Sequence, residues 1–583
     1  MLVFERRGFK VHRIILISDF NTENLAAVLS RSGTIQAESI PFGQVMQCLL
    51  GAQQGALPSS ADIAVVWTTP EGASPAYRRR LLGEGASLEE SAADARMLGD
   101  AITRLPSQFR QILVPTWSAT HPLFARRGLL DFDSEYGPAA ALLQMNATLA
   151  ESVRADRRIY LFDSSRWHGL CGSNAYDPRL WYASKTPFSL ELFKLAAGDF
   201  SAAIRGLEGG AKKLLLLDLD GTLWGGVVGD DGWEALRVGG HDPVGEAYRD
   251  FQAALRALTR RGVLLGIVSK NDEAVALNAL RSHPEMVLRP EDFAGWRINW
   301  QDKARNIVEL LQDLNLGLDA VVFIDDNPVE RDRVSAALPE VLVPQWPSNP
   351  AYYCRALAAL DCFDAPTVSA EDRARTAMYV ADRERKRLRQ DALGLEDWLQ
   401  SLQLTLEVER LGPTNLPRAA QLLNKTNQLN LSTRRLSAAE FQAWAEQANH
   451  LALVFKVSDK FGDYGLVGIG TLALEPELKS AHIVDFVLSC RVMGRKVEEA
   501  IVAVLAAGAH AMGANRLFAN YLPTAKNAPC LEILEQLAGD AIRDGYLFSW
   551  SLEHEPRWPD CVKLVWKDEG TAALHGKLPA VPA

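Results

Sequence analysis

The sequence predicts a multidomain α/β protein, and three observations carry that expectation. The chain has 583 residues, more than one hydrophobic core serves, and a length of this order divides into several domains. Apolar runs alternate with helical stretches through the first two thirds, the pattern of parallel sheets covered on both faces. The last third changes to a mixed order of strands and helices, which points to an α+β unit. The boundaries fall at 1–205, 206–365 and 366–575.

In the first region, Arg13-Ile14-Ile15-Leu16-Ile17-Ser18 reads as a buried strand, followed by Asp62-Ile63-Ala64-Val65-Val66-Trp67 and Gln111-Ile112-Leu113-Val114-Pro115. The second region predicts strands over 213–219, 263–268 and 320–325, with helices over 244–261, 271–281 and 302–314. Its strands end in Asp218, Ser269 and Asp325. An open parallel sheet binds ligands at the carboxyl ends of its strands, so three polar groups converge on one edge. The third region opens with a charged helix over Ala370–Leu402 that includes Arg383-Glu384-Arg385-Lys386-Arg387. Such a charge run reads as a solvated linker rather than a nucleic-acid patch. Strands over 404–410, 451–457, 465–474, 481–490 and 516–521 follow, with helices over 416–424 and 494–512, then a short helix and two strands. The tail after Leu574 is expected to be disordered.

Apolar residues make up 48% and charged residues 23%, as in ordinary globular domains. The formal net charge of -10 gives no support to a nucleic-acid-binding surface. The cysteines are Cys48, Cys171, Cys354, Cys362, Cys490, Cys530 and Cys561. Their odd number and wide spacing, without a C-x-x-C pair, fit a reducing compartment. The first apolar stretch is too short for a signal or a membrane span. The expectation is a cytoplasmic protein with neither nucleic acid nor membrane as partner.

Asp218 and Asp220 flank one residue at the end of a wholly apolar strand. Carboxylates there are costly unless they bind a cation or do chemistry. Magnesium prefers hard oxygen ligands. One carboxylate can attack phosphorus, and the other can exchange a proton with the leaving oxygen. Gly221 permits a sharp turn, and Thr222 sets a hydroxyl beside a phosphate. Ser269-Lys270-Asn271-Asp272 ends the next strand just before a helix, where hydroxyl and N–H groups suit an anion. Lys303 opens a further helix with a point charge for phosphoryl oxygens. Phe323-Ile324-Asp325-Asp326-Asn327 supplies the remaining metal carboxylate. In this order the four motifs resemble the haloacid-dehalogenase (HAD) superfamily. The resemblance implies a doubly wound parallel sheet, Asp218 as nucleophile and Asp220 as acid/base. It also implies magnesium on the Asp218 carboxylate, the Asp220 carbonyl and the Asp325 carboxylate, with Ser269 and Lys303 holding the phosphoryl group. The stretches between Asp218, Ser269 and Lys303 are too short for a large lid, so the cap is minimal.

In the third region, a strand ending at Cys490 runs into Arg491-Val492-Met493-Gly494-Arg495-Lys496 and then a long helix. That loop offers N–H groups and cations to an anion, a pyrophosphate or a phosphopantetheine phosphate, with Arg491, Gly494 and Arg495 as its pantetheine-binding candidates. The order resembles the Gcn5-related acyltransferase (GNAT) fold, although Arg495-Lys496 stands where that fold carries small residues. Cys490 beside Arg491 and a helix N-terminus would carry a reactive thiolate; its role as the acyl-carrying thiol is what the family resemblance below implies.

Three segments of the middle region, LLLDLDGTLWGGVVGDDG at 215–232, SKNDE at 269–273 and FIDDNPVER at 323–331, join NKTNQLNLSTRR at 424–435, VSDKFGDYGLVG at 457–468 and LSCRVMGRKVEE at 488–499. Together with Asn299-Trp300 and Lys303, they resemble the FkbH-like family of polyketide biosynthesis. That resemblance implies a glyceryl transferase/phosphatase. It would take a D-glyceryl unit from 1,3-bisphosphoglycerate, remove both phosphates and load the unit on the phosphopantetheine thiol of an acyl carrier protein. The alternative is a HAD-type phosphatase whose third domain only binds substrate or carrier.

In the first region, Ile17-Ser18-Asp19-Phe20 is similar to the opening of SGNH hydrolases, but Phe20 stands at the nucleophile's place. Asp177-Pro178-Arg179-Leu180 lacks the histidine of an Asp-x-x-His pair. The expectation is an SGNH-like domain without that catalysis, serving a structural or carrier-docking role.

Overall fold

The computed structural model describes residues 11–31, 33–51, 57–58, 60–119, 128–366, 368, 370–391, 394–426, 429–524, 527–538, 542–553 and 557–567. The segment after Leu574 lies outside them. The chain forms two compact units, Met1–Lys212 with Arg355–Thr367, and Lys213–Cys354 with Val368–Ala583. Among the described residues no helix is long and apolar enough to cross a membrane.

The first unit is built on five parallel strands, β1 (His12–Ser18), β2 (Ile35–Ser39), β3 (Ile63–Trp67), β4 (Gln111–Pro115) and β5 (Ile159–Phe162), in the order β2-β1-β3-β4-β5. Successive strand residues face opposite sides. Ile15 and Ile17 therefore enter one core with Leu98, Ile102, Met145 and Leu149, while Ile14 and Leu16 enter another with Phe193, Ala196 and Phe200. The three expected strands are the central ones. The two edge strands carry half-exposed positions that blur the apolar signal.

The second unit contains two sheets. The first has four parallel strands, β6 (Leu214–Leu217), β7 (Leu264–Ser269), β8 (Phe293–Ile298) and β9 (Val321–Ile324), in the order β8-β7-β6-β9. Strand β8 adds to the three expected strands and forms an edge. Helices Glu273–Ser282, Lys303–Leu314 and Pro328–Ala337 leave the carboxyl edge of this sheet. Asp272, Asp302 and Asn327 cap them by accepting first-turn N–H groups.

The second sheet is mixed. Its strands are β10 (Leu404–Arg410), β11 (Leu429–Asn430), β12 (His450–Asp459), β13 (Gly462–Glu475), β14 (Ser480–Leu488), β15 (Arg516–Asn520), β16 (Ile542–Asp544), β17 (Leu547–Ser551) and β18 (Val562–Trp566). The order is β16-β17-β15-β14-β13-β12-β10-β18, with β11 beside β14. Strands β14 and β15 pair in parallel only over Ser480–Ile483, and the far end of β14 bonds to β11 instead. Helix Val497–Ala511 joins β14 to β15 and starts three residues later than the sequence suggested. This is the expected α+β architecture, so the multidomain α/β class holds across the chain.

The charged helix departs from its expectation. It is two helices, Ala370–Asp391 and Leu395–Ser401, with Gly394 in extended conformation at the second start. The first is docked rather than solvated. Arg383 lies over the Trp296 ring and donates to the Phe293 carbonyl at 2.9 Å. Arg385, 3% exposed, makes two hydrogen bonds to the buried Asp459 carboxylate. The sequence shows the charge of this run but not the aromatic and acidic groups that the fold brings to it.

Candidate functional site

Strand β6 consists of four leucines with no exposure, and it delivers Asp218 to the sheet edge. The Asp218 N–H donates to the Ile324 carbonyl at 3.0 Å, which locks this turn to the end of β9. Gly221 has φ +70°, and an added Cβ would meet Asp326 Oδ2 at 2.5 Å. Both backbone freedom and space therefore require glycine. The Gly221 carbonyl accepts from two phenols, Tyr248 at 3.1 Å and Tyr353 at 2.8 Å. Thr222 is fully buried, and its hydroxyl accepts the Asp326 N–H at 3.1 Å.

Lys303 opens its helix beneath the cluster and is 3% exposed. Its Nζ lies 2.6 Å from Asp325 Oδ2 and 3.0 Å from Asp218 Oδ1. Asp218 and Asp325 are buried, and Asp326 completes a set whose carboxylate oxygens lie within 4.8 Å of one another. Arg331 braces the turn by donating to the Asp325 and Asp326 carbonyls at 2.7 and 2.8 Å. Burial pushes the Asp218 carboxyl up to about 6; Lys303 opposes the rise and Asp325 adds to it. Burial raises Asp325 and Asp326 in the same way. Burial alone would lower the Lys303 ammonium, but Asp218 and Asp325 hold it above its ordinary value.

Two buried carboxylates and the more exposed Asp326 outnumber the one ammonium. Asp218 Oδ1 also receives no well-directed hydrogen bond. Hard oxygen donors in excess of the one ammonium that meets them suit a divalent cation. The side chains that converge are Asp218, Asp325 and Asp326. Asp220 turns its carboxylate elsewhere: Oδ1 accepts from Trp224 Nε1 at 2.7 Å and Val228 N at 3.0 Å, and Oδ2 from Asn271 Nδ2 at 2.8 Å. Three donors thus fix its direction. Ser269 is buried at the end of β7 and hydrogen-bonds to Asp218. Lys270 pairs with Glu330 at 2.6 Å. Sequence reasoning missed Asn271, Trp224, Tyr248, Tyr353 and Arg331. Asn271 and Arg331 stand inside the quoted motifs, but nothing in the sequence marks the two tyrosines.

The third-region candidates lie apart from this cluster. Arg491 is exposed, and its Nη1 lies 3.6 Å from Met378 Sδ. The Gly494 N–H donates to Glu498 Oε1 at 2.5 Å. Arg495 is buried and bonds to the Tyr464 hydroxyl and, at 3.2 Å, to Asp382. Cys490 opens a short 3-10 turn, Cys490–Val492, and its side chain lies outside the described groups. Cys530 is fully buried, and burial pushes its thiol up to about 12. Burial also raises Cys561.

Comparison with known proteins adds structural likenesses. The N-terminal part of protein BF1531 from Bacteroides fragilis, described as containing a phosphatase domain and complexed with Mg, aligns at 26% identity and a TM-score of 0.56. It covers 62% of this chain and 96% of that one. The ribosomal-protein-S18-alanine N-acetyltransferase from Escherichia coli aligns at 12% identity over 26% of this chain and 99% of that one, with a TM-score of 0.20. A spermidine N-acetyltransferase variant from Vibrio cholerae aligns at 14% identity over 26% of this chain and 94% of that one, also at 0.20. The third region is therefore characterised by its own strand topology. No protein-family model and no curated protein matches the chain. The strand order of the middle region and the likeness to the Bacteroides structure agree with the haloacid-dehalogenase-type fold that the motifs lead one to expect.

Proposed function

We propose that this chain is a magnesium-dependent phosphatase of the HAD superfamily that works within a longer acyl transfer, loading a D-glyceryl unit from 1,3-bisphosphoglycerate on the phosphopantetheine thiol of an acyl carrier protein. The observation that carries the phosphatase part is the buried pair Asp218 and Asp325 on Lys303, with the more exposed Asp326 beside them. The Mg-bound phosphatase domain of the Bacteroides protein supports it. The transfer part rests on the FkbH-like motifs of the middle and third regions.

Asp218, Asp325 and Asp326 would hold magnesium, which supplies positive charge against the phosphoryl oxygens. Asp218 attacks the phosphorus of the phosphomonoester. Its O–P bond forms as the ester P–O bond breaks, and Asp220 gives a proton to the leaving oxygen. Water then attacks the aspartyl-phosphate, Asp220 takes the water proton, and phosphate departs from Asp218. Lys303 neutralises the carboxylates and meets the phosphoryl oxygens. The donors on Asp220 from Trp224, Val228 and Asn271 keep it directed through both steps.

At the acyl phosphate, a thiolate attacks the glyceryl carbonyl. A C–S bond forms, the C–O bond breaks, and inorganic phosphate leaves. Exchange with the carrier thiol then passes the acyl group on and returns the enzyme thiol. Cys490 is the candidate nucleophile. The raised thiols of Cys530 and Cys561 make poorer ones, since the thiolate is the reactive form.

The test is mass measurement of intact proteins after incubation with magnesium, 1,3-bisphosphoglycerate and a holo-carrier. A glyceryl adduct on the carrier is expected. Phosphate release without an adduct would leave a phosphatase whose third domain only binds. Cys490→Ala should remove any adduct on the enzyme itself, and an adduct that persists would place the nucleophile elsewhere.

A further inference from the structure

Within the second unit, a cavity of about 550 Å³ lies between helix Ala370–Asp391, the loop at Arg491–Arg495 and the end of helix Lys303–Leu314. That volume is in the range of small-molecule sites. Its apolar wall includes Met378, Met493, Trp398 and Leu395. Five arginines and two aspartates line it. Arg375, Arg385 and Arg495 are committed to Asp372, Asp459 and Asp382. Asp313 is committed to Arg297. Arg389, stacked over Trp398 with its guanidinium 5.2 Å from the ring centre, and Arg491 are paired with no carboxylate among the described residues. Two guanidinium forks held by no carboxylate therefore line a cavity that is part charged and part apolar, a combination that fits a phosphate on a long amide or thioether chain.

The loop beside this cavity is closed to a second anion. Gly494 has φ +71°, but its N–H already donates to Glu498, whose carboxylate is 5% exposed at the start of helix Val497–Ala511. A carboxylate at a helix N-terminus occupies the place where such a loop would otherwise receive a phosphate. A pyrophosphate approaching it meets a buried carboxyl group that already holds the loop's N–H.

Resting on the carrier reading above, we propose that this cavity seats the phosphate and pantetheine chain of a carrier protein, gripped by Arg389 and Arg491, and that Glu498 excludes the pyrophosphate of coenzyme A. The site is separate from the phosphatase cluster. The twelve-residue helix that carries Lys303 at one end reaches the cavity at the other, a span of about 18 Å.

The test is calorimetric titration of the full chain with 4′-phosphopantetheine and with coenzyme A. Wild type should bind phosphopantetheine and should bind coenzyme A roughly tenfold or more weakly. The exposed-site double variant R389A/R491A should lose roughly tenfold in phosphopantetheine affinity while releasing phosphate from p-nitrophenyl phosphate at the wild-type rate. E498Q, which keeps the shape and removes the charge, should raise coenzyme A affinity by roughly tenfold. Equal affinities in wild type, no binding of either compound, or an unaffected R389A/R491A overturns the assignment. Selective phosphopantetheine binding in a protein that forms no glyceryl adduct supports the cavity and counts against the reaction instead.

Discussion

Two parallel sheets in this chain end in superficially similar ways. Strand β1 ends on Ser18 and runs into Asp19-Phe20, and after β6 comes Asp218-Leu219-Asp220. At the first edge Ser18 is 3% exposed, and Phe20 has no exposure. Phe20 sits edge-on to Trp67 and Phe188, with ring centres 5.6 and 5.2 Å away. The Asp19 carboxylate accepts the Thr69 hydroxyl at 2.5 Å and the Thr69 N–H at 2.9 Å. At the second edge three carboxylates outnumber the one ammonium, Lys303, that meets them. A parallel sheet supplies an edge where ligands can bind, but the local balance of donors and acceptors decides whether that edge does chemistry.

The largest expected effect sharpens this contrast. Asp218→Asn should lower the turnover of a phosphomonoester in magnesium by roughly 10⁴-fold, about 5 kcal/mol in barrier; a loss below tenfold would mean that Asp218 is not the nucleophile. Phe20→Ala should destabilise the first unit by roughly 3–5 kcal/mol, read by denaturant unfolding, while the folded protein keeps its rate of phosphate release. A variant of unchanged stability would break the description of that edge as packed core.

Asp19 gives a pH test. Burial raises its carboxyl to about 6 from an ordinary 3.8, against the hydrogen bonds from Thr69. The folded state then binds the proton more tightly than the unfolded state, so stability is highest below pH 4 for this group and falls as pH rises towards 6. The loss is at most roughly 3 kcal/mol. Asp19→Asn should flatten that part of the melting-temperature profile, and parallel profiles for variant and wild type would refute it. The smallest effect is at the Gly221 carbonyl. Tyr353→Phe removes one of two donors and should cost about 1 kcal/mol of stability, with a several-fold drop in turnover.

Much of the phosphoryl site is legible in the sequence because each part lies a few residues from an apolar strand: Asp218, Ser269 and Asp325 end runs that have no other reading. Lys303 follows from its place at a helix start. The two tyrosines are not legible. Tyr353 meets Gly221 across 132 positions, and no local pattern marks such a partner. Strands β2, β5 and β8 escape notice for the opposite reason. They are edges, where burial alternates or fades and periodicity says little. In the third region the loop reads as an anion site until Glu498 is placed, because helix periodicity shows that Glu498 lies in the first turn but not which N–H it takes.

Helix Lys303–Leu314 acts as a ruler. It holds the phosphate-removing cluster and the arginine-lined cavity at a fixed spacing, and its apolar face, with Ile307, Leu310 and Leu311 buried against the sheet, leaves no room to slide. A substrate that needs both stations must commute between them while the stations stay still. A tether turns that journey into an intramolecular one, with an effective concentration on the order of millimolar. Under the proposed transfer, a phosphorylated acyl group on a swinging arm would meet the next station before it escaped into solution.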